Sequence, residues 1–273
     1  MPASNTATVS LAHDVTGSGV PLLLLAGTGY PRHTWHPDFV AGLATQHRVI
    51  TLDYRGVGDT PGTDDPYSTR LFAADAAALV RELGAGPVHV AGHSMGGRVT
   101  QWMAIDAPDV VRSVTLLASG PGLLDVTVVP DRLPLYAMVD LIDIGFHSFI
   151  SGTIRRNFFT PEFNASNPAV VQWLIDAFWE HRPGTRDYLK HVTARQSHRT
   201  AEYLDRITQP GLVVVGSRDT HVGGTGSHYD QSVYLAKTLR DARFVEIPDT
   251  MHGYPWQEPQ RTIDAILSFT RTV

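Results

Sequence analysis

The chain alternates between short apolar runs and longer stretches whose apolar residues recur every three or four positions. "TVSLAHDV" alternates like an edge strand and "GSG" turns the chain. "VPLLLLA" (20–26) is continuously apolar, as expected of a strand buried on both faces. Phe39 and Leu43 place a helix that runs to about His47, and "RVITLD" (48–53) reads as another buried strand. "TRLFAADAAALVRELG" (69–84) is an alanine-rich amphipathic helix closed by Gly84. A strand at 87–92, a helix at 95–108 and a strand at 111–119 follow. Such alternation predicts right-handed βαβ crossovers and a mainly parallel sheet.

From about Gly120 to Arg206 the strand pattern stops. "LPLYAMVDLIDIGFHSFI", "NPAVVQWLIDAFWEHR" and "GTRDYLKHVTARQSH" are helical patterns with no strand between them. The alternation then resumes with "GLVVVGS" (211–217), the helix "HYDQSVYLAKTLR", the strand "ARFVEIP" and a final helix "PWQEPQRTIDAILSFTRTV". The expected organisation is an α/β core built from 1–120 and 207–273, with a helical cap inserted at 121–206.

"VHVAGHSMGGRV" (88–99) puts a serine between glycines where a strand becomes a helix. Residues 92–96 fit G-x-S-x-G, a turn that lifts a hydroxyl above the C-terminal edge of a sheet. Gly92 and Gly96 remove side chains that would strike neighbouring backbone. The following helix aims the Met95 N–H and its dipole at the place where an oxyanion would develop. A serine nucleophile needs a base, and the base needs a carboxylate to orient it. Asp219 stands just past "VVVGS", and His252 stands in the loop after "FVEIP". Both fall at C-terminal strand ends in the order that a Ser94–Asp219–His252 triad requires. Asp125 is the alternative acid and His221 the alternative base. His93 adjoins Ser94, with its ring expected to point away from the hydroxyl.

A second oxyanion donor is expected from "LLLLAGTGYPRHTW" (22–35), with Thr28 first and Gly27 or Gly29 as alternatives. This is not a dinucleotide loop, because Arg32 replaces the third glycine of that motif. No P-loop and no metal-ligand spacing is visible, so neither cofactor nor metal is expected. The net charge of -5 favours neither nucleic acid nor an anionic membrane, and the absence of cysteine excludes disulfides and thiolate chemistry. No apolar run reaches membrane-spanning length and no leader pattern opens the chain, so a cytoplasmic protein, monomeric or homodimeric, acting on a small molecule is expected.

Taken together, the chain resembles the α/β-hydrolase superfamily. The resemblance rests on "LLLLAGTGYPRHTW", "LDYRGVGDT", "GHSMGG", "VVVGSRD" and "EIPDTMHGYPWQEP". It implies a mostly parallel eight-stranded sheet flanked by helices, and within the superfamily it is nearest to bacterial esterases, enol-lactone hydrolases and cofactor-free haloperoxidase-like enzymes. Two departures stand out. Ala26-Gly27 replaces the usual His-Gly of the oxyanion loop, and Asp59-Thr60 follows Gly58 where the family continues to a serine. The serine at position 94 sets the chain apart from dehalogenases and epoxide hydrolases, which carry aspartate at the elbow.

The cap is rich in large aromatics, of which Phe146, Phe149, Trp173 and Trp179, with Tyr30 and Gly27 of the core, are candidate pocket residues. The stretch from His181 to Arg199 is basic, which suits either an anionic substrate group or a solvated helix face. The expected activity is hydrolysis of a carboxylic ester or lactone of a fairly bulky apolar molecule. The alternatives are thioester cleavage, acyl transfer, perhydrolysis or C–C hydrolysis by the same triad, or a ligand receptor that retains the fold.

Overall fold

Strand β2 (Val20–Leu25) divides its side chains between the two faces of the sheet: Leu23 and Leu25 enter one hydrophobic cluster, Leu22 and Leu24 the other. That division explains its unbroken apolar run. The computed structural model describes residues 9–122, 144–220 and 227–273. With β1 (His13–Thr16), β3 (His47–Leu52), β4 (Val88–His93), β5 (Val111–Leu117), β6 (Gly211–Gly216) and β7 (Ala242–Ile247), β2 forms one sheet in the order β1-β3-β2-β4-β5-β6-β7. Only β1 is antiparallel to its neighbour. The described sheet has seven strands, one fewer than the resemblance implied. Each strand expected from the sequence is present among the described residues, although of "TVSLAHDV" only the last three residues, His13 to Val15, enter β1.

Helices α1 (Pro37–Ala44), α2 (Thr69–Glu82) and α3 (Met95–Asp106) make the first crossovers. Helix α1 ends before its predicted limit because His47 already opens β3, its ring bonded to the Val20 carbonyl and the Thr270 hydroxyl. Helix α2 is capped by Ser68, whose hydroxyl accepts from Leu71 N at 3.0 Å. It closes at Gly84, whose φ of +57° permits the final turn.

Between β5 and β6 every described regular element is helical: α4 (Phe146–Thr153), a π turn (Ile154–Phe158), α5 (Pro161–Ser166), α6 (Pro168–Glu180), α7 (Thr185–Gln196) and a 3-10 turn (Ala201–Arg206). Helix α8 (His228–Thr238) returns the chain to β7. The final helix of the sequence reading is two helices, α9 (Tyr254–Gln257) and α10 (Pro259–Thr270). Pro259 bars Glu258 from helical geometry, and that residue adopts φ −128°, ψ 60°. Helices α2, α3 and α8 cover one face of the sheet and α1 and α10 the other; most buried residues of the inserted helices join the second cluster, while Ala194 of α7 and Leu204 join the first. No described helix is long and apolar enough to cross a membrane.

Candidate active site

Ser94 links β4 to α3 with φ 55° and ψ −115°, a strained backbone for a residue with a side chain. Its N–H is held by the Leu117 carbonyl of β5 at 2.8 Å, and its carbonyl accepts from the Ser119 hydroxyl at 2.9 Å. The glycines beside it leave no room for more. A Cβ on Gly92 would lie 2.2 Å from the Gly96 oxygen, and one on Gly96 would lie 2.4 Å from the Leu25 oxygen. Gly97 allows the Ser119 side chain to approach α3.

Asp219 and His252 meet at the same edge of the sheet. His252 Nδ1 lies 2.8 Å from Asp219 Oδ2, and both residues are buried. The acid turn after β6 and the histidine loop after β7 are tied together, Arg218 N to the Thr250 carbonyl at 2.8 Å and Ser217 N to the Ile247 carbonyl at 3.0 Å. Gly216 makes this possible, since a Cβ there would sit 2.5 Å from the Thr250 oxygen. The indole N–H of Trp256 donates to Thr34 O at 2.7 Å, fastening the segment after β7 to the loop after β2. His93 donates through Nε2 to the His252 carbonyl at 2.9 Å, and the two rings lie 4.6 Å apart. The residue preceding Ser94 thus packs directly on the imidazole of the Asp219–His252 pair. Burial lowers the His93 pKa well below that of a free imidazole, and His252 adds to the effect, so His93 stays neutral.

A third group joins the pair that the sequence reading did not find. His228, at the start of α8, places Nδ1 3.4 Å from Asp219 Oδ1, and its ring lies 4.2 Å from that of His252. The contact is longer than a good hydrogen bond, and both atoms are otherwise without partners. Burial first, then His252, pushes the His228 pKa down to about 4. Burial raises the cost of the Asp219 charge, yet the two imidazoles outweigh it and hold the carboxyl below its ordinary range. Ligand atoms of Asp219, His228 and His252 all lie within 4.8 Å of one another, an arrangement able to hold a divalent cation as well as a carboxylate shared by two imidazoles. The three residues come from separate segments, so no ligand spacing in the sequence signalled them. Asp125 and His221, the alternative acid and base, lie outside the described residues.

The loop after β2 runs past the elbow: a Cβ on Gly27 would lie 3.6 Å from Ser94 Cβ. Thr28 is buried, and its hydroxyl has no partner. Arg32, which broke the dinucleotide motif, anchors this loop. Its guanidinium reaches Asp14 at 2.6 Å, Asp59 at 2.9 Å and the fully buried Asp53, while its backbone N–H donates to Asp53 Oδ1 at 2.7 Å. Asp59, one of the two departures from the family loop, is thereby a counter-ion. Thr60, the other, accepts from Ala12 N and donates to Asp53 O, both at 2.9 Å.

Among the inserted aromatics of the described residues, Phe158 is the one whose ring meets His252, edge-on at 5.2 Å; it also stacks on Tyr30 at 5.5 Å. Phe158 was not among the candidate pocket residues; it sits in the π turn, which helical periodicity does not reveal. Phe146 and Phe149 both contact Tyr188, at 5.0 and 6.2 Å. Trp173 packs on His36 at 4.5 Å, and Trp179 meets His147 at 4.7 Å and lies under the Arg182 guanidinium at 3.9 Å. Neither tryptophan shares a ring contact with His93 or His252 among the described residues.

The sequence profile described as "Alpha/beta hydrolase family" matches residues 22–265. A putative non-heme bromoperoxidase, BpoC, of Mycobacterium tuberculosis is 32% identical over 276 residues, covering 97% of this chain and 99% of that protein. A soluble epoxide hydrolase of a Corynebacterium strain is 36% identical over 281 residues, covering 94% of this chain and 92% of that protein. Among solved structures, a thermophilic esterase from Thermogutta terrifontis superimposes with a TM-score of 0.85 at 23% identity, over 99% of this chain and 96% of the other, which is a likeness of fold.

Proposed function

The chain belongs to the alpha/beta hydrolase family, and on that premise we propose that it is a serine hydrolase cleaving a carboxylic ester or lactone of a fairly bulky apolar molecule. The observation that carries this reading is the 2.8 Å contact between His252 Nδ1 and Asp219 Oδ2, buried at the strand edge that also holds Ser94 on its strained turn. The carboxylate fixes the tautomer in which Nδ1 bears the proton, leaving Nε2 free to accept one.

In the proposed reaction Nε2 of His252 removes the Ser94 proton as Oγ adds to the substrate carbonyl. Negative charge on the former carbonyl oxygen is met by the N–H groups of Met95 and Thr28 and by the N-terminus of α3. Loss of one such donor costs roughly 3 kcal/mol of transition-state stabilisation. The tetrahedral intermediate collapses, the C–O bond to the alcohol breaks, and the alcohol takes the proton from His252. Water, deprotonated by His252, then cleaves the acyl-enzyme and restores Ser94. Asp219 stays ionised throughout, in keeping with its lowered pKa. The inserted helices act as a cap over this edge, with Phe158 and Tyr30 forming an apolar wall beside His252. Serine at position 94 also separates this reaction from epoxide opening by an aspartate nucleophile, despite the 36% identity to an epoxide hydrolase.

Replacement of Ser94 by alanine tests the reading. Turnover of a p-nitrophenyl ester should fall by at least about a thousandfold, with the thermal unfolding transition retained. Turnover undiminished in that variant would rule out the serine as nucleophile.

A further inference from the structure

The carboxylate of Asp219 is held unevenly. Oδ2 meets Nδ1 of His252 at 2.8 Å, whereas Oδ1 is sealed from solvent and has no hydrogen-bond partner. Among the described residues no backbone N–H reaches either oxygen. The torsion that turns a carboxyl group is broad. With Oδ1 unheld, rotation would carry Oδ2 away from His252.

The group that faces Oδ1 is His228. Its Nδ1 stands 3.4 Å away and is likewise buried without a hydrogen-bond partner. The backbone sets this approach. The Asp219 carbonyl accepts from Tyr229 N at 3.0 Å, which pins the start of α8 to the residue that His228 faces. Ser227 caps the helix, its hydroxyl accepting from Asp230 N at 3.3 Å. The His228 ring also lies 4.2 Å from that of His252, tilted by 32°. It therefore touches both members of the Asp219–His252 pair.

The two orphaned atoms are chemically complementary, since a carboxylate oxygen accepts and an imidazole nitrogen can donate. Histidine is an unfavourable choice for merely filling this space, because an apolar ring would leave no polar atom of its own unpaired. Burial holds the His228 pKa down to about 4, so the ring meets Asp219 as a neutral donor rather than as a counter-ion. The carboxylate selects the tautomer with the proton on Nδ1. Such contacts are often long in a resting enzyme and shorten as charge develops.

We propose that His228 is a positioning residue: its Nδ1–H holds Oδ1 of Asp219, so that Oδ2 stays aimed at His252 while that imidazole takes the proton of Ser94. This inference rests on the serine hydrolase reading and adds a fourth side chain to its network. His228 acts through Asp219 rather than on the substrate, so its loss falls on kcat and not on KM.

Two substitutions separate the donor from the ring. Asparagine carries its amide nitrogen on Cγ, where histidine carries Nδ1, and so keeps a donor without the ring. Phenylalanine keeps a ring without the donor. Turnover of p-nitrophenyl butyrate is read per active site titrated with a fluorophosphonate, so that misfolded protein cancels. In His228→Phe kcat should fall at least about tenfold, with KM within about twofold of the wild type. In His228→Asn kcat should stay within about threefold of the wild type. A packing role predicts the reverse order, because phenylalanine fills the space and asparagine does not. His228→Leu replaces His228→Phe should the latter not fold. Proton NMR supplies a second readout: the far-downfield signal of the proton between His252 Nδ1 and Asp219 should persist in His228→Asn and vanish or broaden in the variant without a donor. The proposal is overturned by a kcat retained without the donor, by an equal or greater loss in His228→Asn, by a rise in KM in place of the fall in kcat, or by an NMR signal unchanged in the donorless variant. Ser94→Ala, measured alongside, separates the two readings. Turnover by the wild type that is lost in Ser94→Ala leaves the hydrolase reading standing whatever the His228 variants do. Turnover surviving in Ser94→Ala, or none by the wild type, fells that reading and this one with it.

Discussion

Ser94 occupies a backbone conformation costing on the order of 1–3 kcal/mol, held by bonds on both sides of its peptide and by glycines that admit no substituent. Gly92→Ala should therefore lower stability by about 3 kcal/mol or prevent folding, because the new methyl would meet backbone rather than a yielding side chain. A thermal melt of that variant indistinguishable from the wild type would contradict this reading of the turn. The spacing of the elbow was legible in the sequence because its steric demands are local. His228 and Phe158 were not: each reaches the site through tertiary packing, one from the start of α8 and one from a π turn, and neither carries a spacing signal. Asp219 and His252 lie between these cases, visible only because each follows a recognisable strand.

At the scale of elements, the loop after β2 is organised by charge rather than by apolar contact. Arg32 gathers Asp14, Asp53 and Asp59 from three different segments, and Asp53 is fully buried. Removing one partner of a buried pair leaves a stranded charge, which costs about 3–5 kcal/mol. Arg32→Met should lower the melting temperature and reduce kcat, since the loop it anchors carries Gly27 to Ser94. Steady-state kinetics combined with a melt checks this; wild-type values for both would refute the anchoring role. The sequence showed Arg32 only as a break in a glycine motif, because its partners are scattered along the chain. Strand and helix order was readable from periodicity, whereas ends set by side-chain bonds, such as that of α1 at His47, or by a single proline, as at Glu258, were not.

Across the whole molecule, buried histidines govern the response to acid. His89, His191 and His228 each have a pKa pushed down to about 4, foremost by burial. Their folded values lie below the unfolded value near 6.5, so the unfolded chain binds protons that the folded chain refuses. Stability should be level above about pH 7 and fall as the pH drops from about 6.5 towards 4. Each group contributes on the order of 3 kcal/mol by the end of that window, together comparable with the whole stability of a domain. Circular dichroism during an acid titration should show unfolding within that range, and a fold unchanged at pH 4 would contradict the assignment of these rings as neutral and buried. The central claim concerns reactivity: a hydroxyl at the elbow is made nucleophilic by an imidazole that a carboxylate orients. Fluorophosphonate labelling followed by peptide mass spectrometry reads this directly. A single adduct on Ser94, formed rapidly in the wild type and at least about a hundredfold more slowly in His252→Ala, is the expected result. Labelling elsewhere, or at the same rate without the imidazole, would contradict it.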